Sequence, residues 1–178
     1  MLVIFIIIFE FLLLAIAIII ALFALFLSLS FFFGPPFVPT PKPVVKEMLT
    51  LVGAKKQDVL LDLGSGDGTV LIEAAKMGIN ARGFEINPFL FLLAKIKARS
   101  KNLNKNIEVY NQDYQKANLK DVTIVFCYGL PKFMTTISEK LRIELPKSAK
   151  VASYKFPIPN LKLVKKTKTD IFLYTLKK

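Results

Sequence analysis

Residues 60–78 read "LLDLGSGDGTVLIEAAKMG": a short apolar run, three glycines at alternate positions, then apolar residues at helical spacing. The run before glycine suits a buried parallel strand, and the spacing after it suits a helix. A strand, a tight turn and a helix in that order open an α/β sheet and can hold a nucleotide-like ligand. A dinucleotide-binding turn would carry glycine at 64, 66 and 69, but position 69 is Thr and the third glycine is Gly68. Asp62 and Asp67 flank the turn, with Ser65 inside it. Phosphate seeks bare amides at a helix N-terminus and is repelled by carboxylates, so these two acids favour a cationic ligand.

Working outward, the chain alternates between the two periodicities. Apolar residues at 44, 45, 48, 49 and 52 form a helical stripe closed by Gly53. Strand 58–64 and the helix from Gly68 to about Met77 are followed by strand 81–86, helix 88–100, strands 107–113 and 121–128, helix 131–145 and strand 149–156. "LKLVKKTKTDIFLYTL", residues 161–176, reads as two strands around a turn near 168–170, an antiparallel hairpin at one sheet edge. The expected fold is α/β, seven-stranded and Rossmann-like, with right-handed crossovers and an antiparallel last strand. Glu85 ends the second strand, 21 residues after Gly64, and Asp113 ends the third. Asp62, Glu85 and Asp113 thus stand at successive strand ends, where open α/β sheets bind ligands.

These residues resemble the cofactor motifs of class I methyltransferases dependent on S-adenosylmethionine, a donor that carries a sulfonium and an α-ammonium. "PFVPTP" (36–41), "GFEINPFL" (83–90), "FCYGLPKFM" (126–134) and "KVASYKFPIP" (150–159) extend the likeness. With them the chain resembles the membrane-anchored protein-lysine methyltransferases of the adenine nucleotide translocase and the ATP synthase c subunit. The resemblance implies that Asp62 and the turn Gly64, Ser65, Gly66, Asp67 and Gly68 hold the amino-acid side of S-adenosylmethionine. It further implies Glu85 at the ribose, Asp113 at the adenine and Thr40 closing over the methionine end. Tyr128, Pro131, Tyr154 and Phe156 either line a channel for an alkyl-ammonium side chain or belong to the core. "YGLP" (128–131) stands where methyltransferases of adenine N6 or glutamine carry an Asn or Asp followed by Pro-Pro-Tyr.

Composition narrows the partners. The 178 residues include no histidine and one cysteine, so histidine triads, most zinc sites and an intrachain disulfide are excluded. No metal is expected. Residues 11–33 hold only Ser28 and Ser30 as polar side chains and are long enough to span a bilayer. The expected organisation is a transmembrane anchor over 1–33, a proline-rich linker over 34–43 and a methyltransferase domain over 44–178. Glu10 is the only ionisable side chain before Lys42, so the remainder carries 25 basic and 12 acidic residues. Lysines 42, 46, 55 and 56 follow the span and none precedes it, which puts the N-terminus outside and the domain on the cytoplasmic or matrix-equivalent side. Glu10 is expected at the outer interface, or inside the bilayer beside a partner or functional site if the span is shifted toward the N-terminus. The basic surface suits a lipid bilayer better than nucleic acid. The acceptor implied is a lysine of a membrane protein; a lipid or lipid-soluble acceptor, or a non-catalytic scaffold that binds the cofactor, would share the same residues.

Overall fold

The computed structural model describes residues 2–32 and 37–176, with side chains over 3–25 and 37–176. It forms two compact units, within residues 1–36 and 37–178. The first is a single helix, α1 (Leu2–Phe32). Its window Val3–Leu25 is apolar and long enough to cross a membrane, and this window includes Glu10. At 31 residues the helix is about 46 Å long, more than a hydrocarbon core of about 30 Å requires. Of the expected span 11–33, residues 11–25 fall within this window, and the side chains of 26–33 lie outside the described residues.

The second unit opens with α2 (Lys42–Leu51) and alternates through β1 (Val59–Leu63), α3 (Thr69–Lys76), β2 (Asn80–Phe84), α4 (Pro88–Ser100) and β3 (Ile107–Tyr110). A single 3-10 turn (Tyr114–Lys116) leads to β4 (Ile124–Cys127), α5 (Pro131–Glu144), β5 (Lys150–Tyr154), β6 (Lys162–Lys166) and β7 (Ile171–Thr175). Helix α2 starts at Lys42, earlier than expected, because proline's fixed φ fits the first turn of a helix. In α4, Pro88 follows Asn87, whose side chain accepts from the amides of Phe89 at 2.9 Å and Leu90 at 3.3 Å.

The seven strands form one sheet in the order β3-β2-β1-β4-β5-β7-β6. The first five are parallel, and β7 runs antiparallel to both β5 and β6. The hairpin forms one edge of the sheet as expected, with β7 beside β5 and β6 outermost. Strand order reverses at β1, between β2 and β4, which makes their carboxyl ends the switch point. Side chains alternate across the sheet and feed two cores. Leu60, Phe126 and Ala152 pack with α2 and α3 on one face, and Leu61, Val125 and Val151 pack with α5 on the other.

Several strands are shorter than the apolar pattern suggests. Thr123 precedes β4, its hydroxyl donating to Asp58 at 2.8 Å and accepting from the Val59 amide at 3.0 Å, so 121–123 form a turn. Residues 111–113 likewise leave β3: the Asn111 side-chain amide donates to the carbonyls of Glu85 and Ile86.

Candidate active site

The turn after β1 is pinned to the end of β2. The amides of Gly64 and Ser65 both donate to the Phe84 carbonyl, at 2.9 and 3.0 Å. The Gly66 amide donates to Glu85 Oε2 at 2.8 Å, and Glu85 Oε1 accepts from the Asn87 amide at 2.8 Å. Glu85 is thereby a brace that joins the turn to the start of α4, as well as an acid at a strand end. Gly68 has φ +77° and lies so near α4 that a Cβ would stand 2.9 Å from the Ala94 Cβ. At Gly66 a Cβ would overlap the Phe37 ring, so the first residues of this unit lie on the turn. A Cβ at Gly64 would meet nothing within 4 Å, so the backbone there faces open space.

The acids flanking the turn differ in their surroundings. Asp67 Oδ1 accepts from the Thr69 amide and hydroxyl, and its Oδ2 pairs with the Lys97 ammonium at 2.5 Å. Burial acts to raise its pKa, but the contacts with Lys97 and Thr69 outweigh that and hold it below the usual carboxylate value. Thr69, standing where a dinucleotide turn has glycine, thus helps fix Asp67. Asp62 is 3% exposed, and among the described residues no hydrogen-bond donor reaches its carboxyl. Burial first, then the nearby Glu85 and Asp67 carboxylates, push its pKa up to about 8. Glu85 is also raised by burial, against the opposing pull of the Asn87, Gly66 and Ile86 amides. Ser65 Oγ is buried and unpartnered among the described residues, and it packs over Gly83.

A buried carboxyl with no donor, a second beside it and open backbone at Gly64 make a receptor for a cation. No group of three His, Cys, Asp or Glu side chains among the described residues is arranged to hold a metal ion. Asp113 lies beyond β3 and caps the 3-10 turn, its Oδ1 accepting from the Gln115 amide at 2.8 Å. Thr40 is half-buried, three residues after Phe37.

The four aromatic and proline candidates do not share one surface. Phe126 and Ala152 face the first core, and by alternation so do Tyr128 and Tyr154, whose rings meet edge to face at 4.9 Å. Asp62 follows Leu60 on that same face, and Asp62 pairs in register with Phe126. Strict alternation would put Phe156 there too. Lys155, however, has φ +65°, and the Phe156 amide donates to the Tyr154 carbonyl at 2.8 Å, a γ-turn that sends Phe156 to the opposite core. Pro131 is exposed in the first turn of α5.

Sequence reasoning missed Lys97, Phe37 and Asn87. Only Asn87 had a local signal, the Asn-Pro pair that starts a helix. Lys97 lies 30 residues from its partner, and Phe37 belongs to a segment without periodicity.

Known proteins resemble the chain in both sequence and fold. The Xenopus laevis lysine N-methyltransferase that acts on the ATP synthase c subunit is 33% identical over 125 residues, 70% of this chain and 55% of that protein. The chain thus spans about half the length of such curated relatives. A protein-lysine N-methyltransferase of Saccharolobus islandicus is 30% identical over 131 residues, 69% of this chain and 78% of that protein. The crystal structure of an RNA methyltransferase from Salinibacter ruber in complex with S-adenosyl-L-homocysteine is 32% identical. It covers 79% of this chain and 95% of its own, with a TM-score of 0.73. The ANTKMT methyltransferase domain matches residues 62–165, more than half of the sequence, and the chain belongs to that family.

Proposed function

We propose that this protein is an S-adenosylmethionine-dependent protein-lysine methyltransferase, tethered to a membrane by α1 and acting on a lysine of a membrane protein. The observation that carries the reading is the buried, donor-free Asp62 carboxyl at the switch point, beside Glu85 and the glycine turn. The names of the lysine methyltransferase relatives support the acceptor class.

When bound, S-adenosylmethionine supplies a methyl group on a sulfonium, an electrophile for a neutral amine. Asp62 would receive the ammonium of the amino-acid part, and the open backbone at Gly64 would let the cofactor lie close. Glu85 has both oxygens on backbone amides but keeps further acceptor capacity for the ribose hydroxyls. Asp113 has Oδ2 left for the adenine, and Thr40 would close over the methionine end. The faces of Tyr128 and Tyr154, on the Asp62 side of the sheet, would carry the alkyl part of a lysine; desolvation there lowers the amine pKa and favours the neutral nucleophile. Pro131, exposed at the start of α5, and Phe156, packed on the opposite core, are given no part in that path. Residues 1–33 serve as anchor, 34–43 as linker and 44–178 as the catalytic domain, with the domain on the lysine-bearing cytoplasmic side.

The test incubates the full chain with radiolabelled S-adenosylmethionine and detergent-solubilised native membranes, beside Glu85→Ala. A discrete protein band yielding methyl-lysine on hydrolysis, and lost in the variant, is expected. Label in an organic extract would replace the acceptor with a lipid, and nuclease-sensitive label would replace it with RNA. Cofactor binding without any transfer would overturn catalysis.

A further inference from the structure

Helix α4 is built with its large apolar residues on the wrong side for a core helix. It packs inward through small residues: only Ala94 and Ala98 are buried, and Gly68 lies against Ala94. Leu92, Leu93 and Ile96 project outward, 54%, 39% and 55% exposed. At 3.6 residues per turn these three span an arc of about 100° opposite the two alanines. Ile86, 51% exposed, lies just before the helix at the end that carries the active site. Large apolar residues gathered on one outward face need a partner, whereas scattered ones do not.

The charge around this face selects the partner. Residues 86–107 contain Lys95, Lys97, Arg99, Lys101 and Lys105 and no acid. Lys97 is paired with Asp67, while Lys95, Arg99 and Lys101 are exposed. The Lys95 ammonium stands over the Phe91 ring at 5.1 Å, on the flank of the apolar arc. An apolar face edged by cations is the pattern of a helix lying in the headgroup region of an anionic bilayer. In sequence, α1 ends five residues before Phe37, the residue that lies on Gly66.

We infer that the exposed face of α4 docks into the surface of an anionic phospholipid bilayer, seating the active-site end of the domain against the membrane. This rests on the membrane reading above only for the presence of a bilayer. Docking orients the strand-end site, which a tether alone does not do, and restricts acceptors to lysines at the headgroup level.

The test uses the full chain with Cys127 replaced by Ala and one spin label at Leu92→Cys, Ile96→Cys or, as control, Ser148→Cys. The chain is reconstituted in phosphatidylcholine vesicles with and without phosphatidylglycerol. In phosphatidylglycerol vesicles the ratio of oxygen to nickel-complex accessibility should be several-fold higher at 92 and 96 than at 148. It should fall toward the control in a Lys95→Glu, Arg99→Glu background. Equal ratios at all three positions would overturn docking, as would labels at 92 and 96 shielded from both reagents, which would mean a protein occupant. Anchoring is read separately: a chain not held by α1 washes off neutral vesicles in alkaline carbonate, whatever the label reports.

Discussion

Replacing Asp62 with asparagine should make the protein more stable and weaken its hold on the cofactor. In the unfolded chain the carboxyl has its ordinary pKa of 3.8, and in the folded chain it is pushed up to about 8. Between these values folding takes up a proton, so the stability of the native protein falls as pH rises from about 4 to about 8 and then levels off. At pH 7 the group is roughly three units above its unfolded pKa, a cost of about 4 kcal/mol at 1.4 kcal/mol per unit. An asparagine removes that cost but buries an amide with no donor or acceptor arranged for it, losing about 2 kcal/mol. The net gain at pH 7 is about 2 kcal/mol, or roughly 5 °C in Tm for a domain of this size. Thermal melts of the full chain in detergent across pH 4 to 8.5 should show the gap between variant and native protein widening with pH. Calorimetric titration with S-adenosylhomocysteine, which keeps the α-ammonium, should show native affinity rising about tenfold per pH unit up to about pH 8, as Asp62 surrenders its proton. The variant should bind weakly and without that slope. A Tm gap that is absent, inverted or constant across this range would refute the reasoning.

Other substitutions separate bracing from binding. Glu85→Gln leaves one of the Gly66 and Asn87 amides facing an NH2 group and should cost about 1–3 kcal/mol in denaturant unfolding, with a large loss of S-adenosylhomocysteine affinity. Gly68→Ala places a methyl against Ala94 at φ +77° and should cost about 2 kcal/mol or more. Gly64→Ala meets no neighbour and should cost about 1 kcal/mol of strain, yet it should lower S-adenosylhomocysteine affinity at least about tenfold by filling the open face. Lys97→Ala should cost about 1 kcal/mol or less, shrinking in high salt, because Lys97 is 35% exposed. Cys127, whose thiol burial pushes well above its ordinary pKa, should resist maleimide until the protein unfolds, as mass spectrometry can follow.

The alternation of apolar runs and helical stripes made the parallel half of the sheet readable, because period and turn chemistry are local properties of the chain. For the same reason the glycine turn, Asp62 and Glu85 could be placed at strand ends from spacing alone. The order of β6 and β7 was not readable, since a hairpin pattern does not say which strand enters the sheet. The aromatic candidates show the same limit: one left-handed residue, Lys155, sent Phe156 away from Tyr128 and Tyr154. The turn's acids shared a charge in the sequence but acquired different roles on folding. Lys97 neutralises Asp67 across 30 residues, whereas Asp62 is buried with no donor. By itself the sequence determined the order of elements and the residues of the turn, which depend on neighbours along the chain. Tertiary structure alone decided which carboxyl was left without a partner, because desolvation and ion pairing depend on what packs around a group.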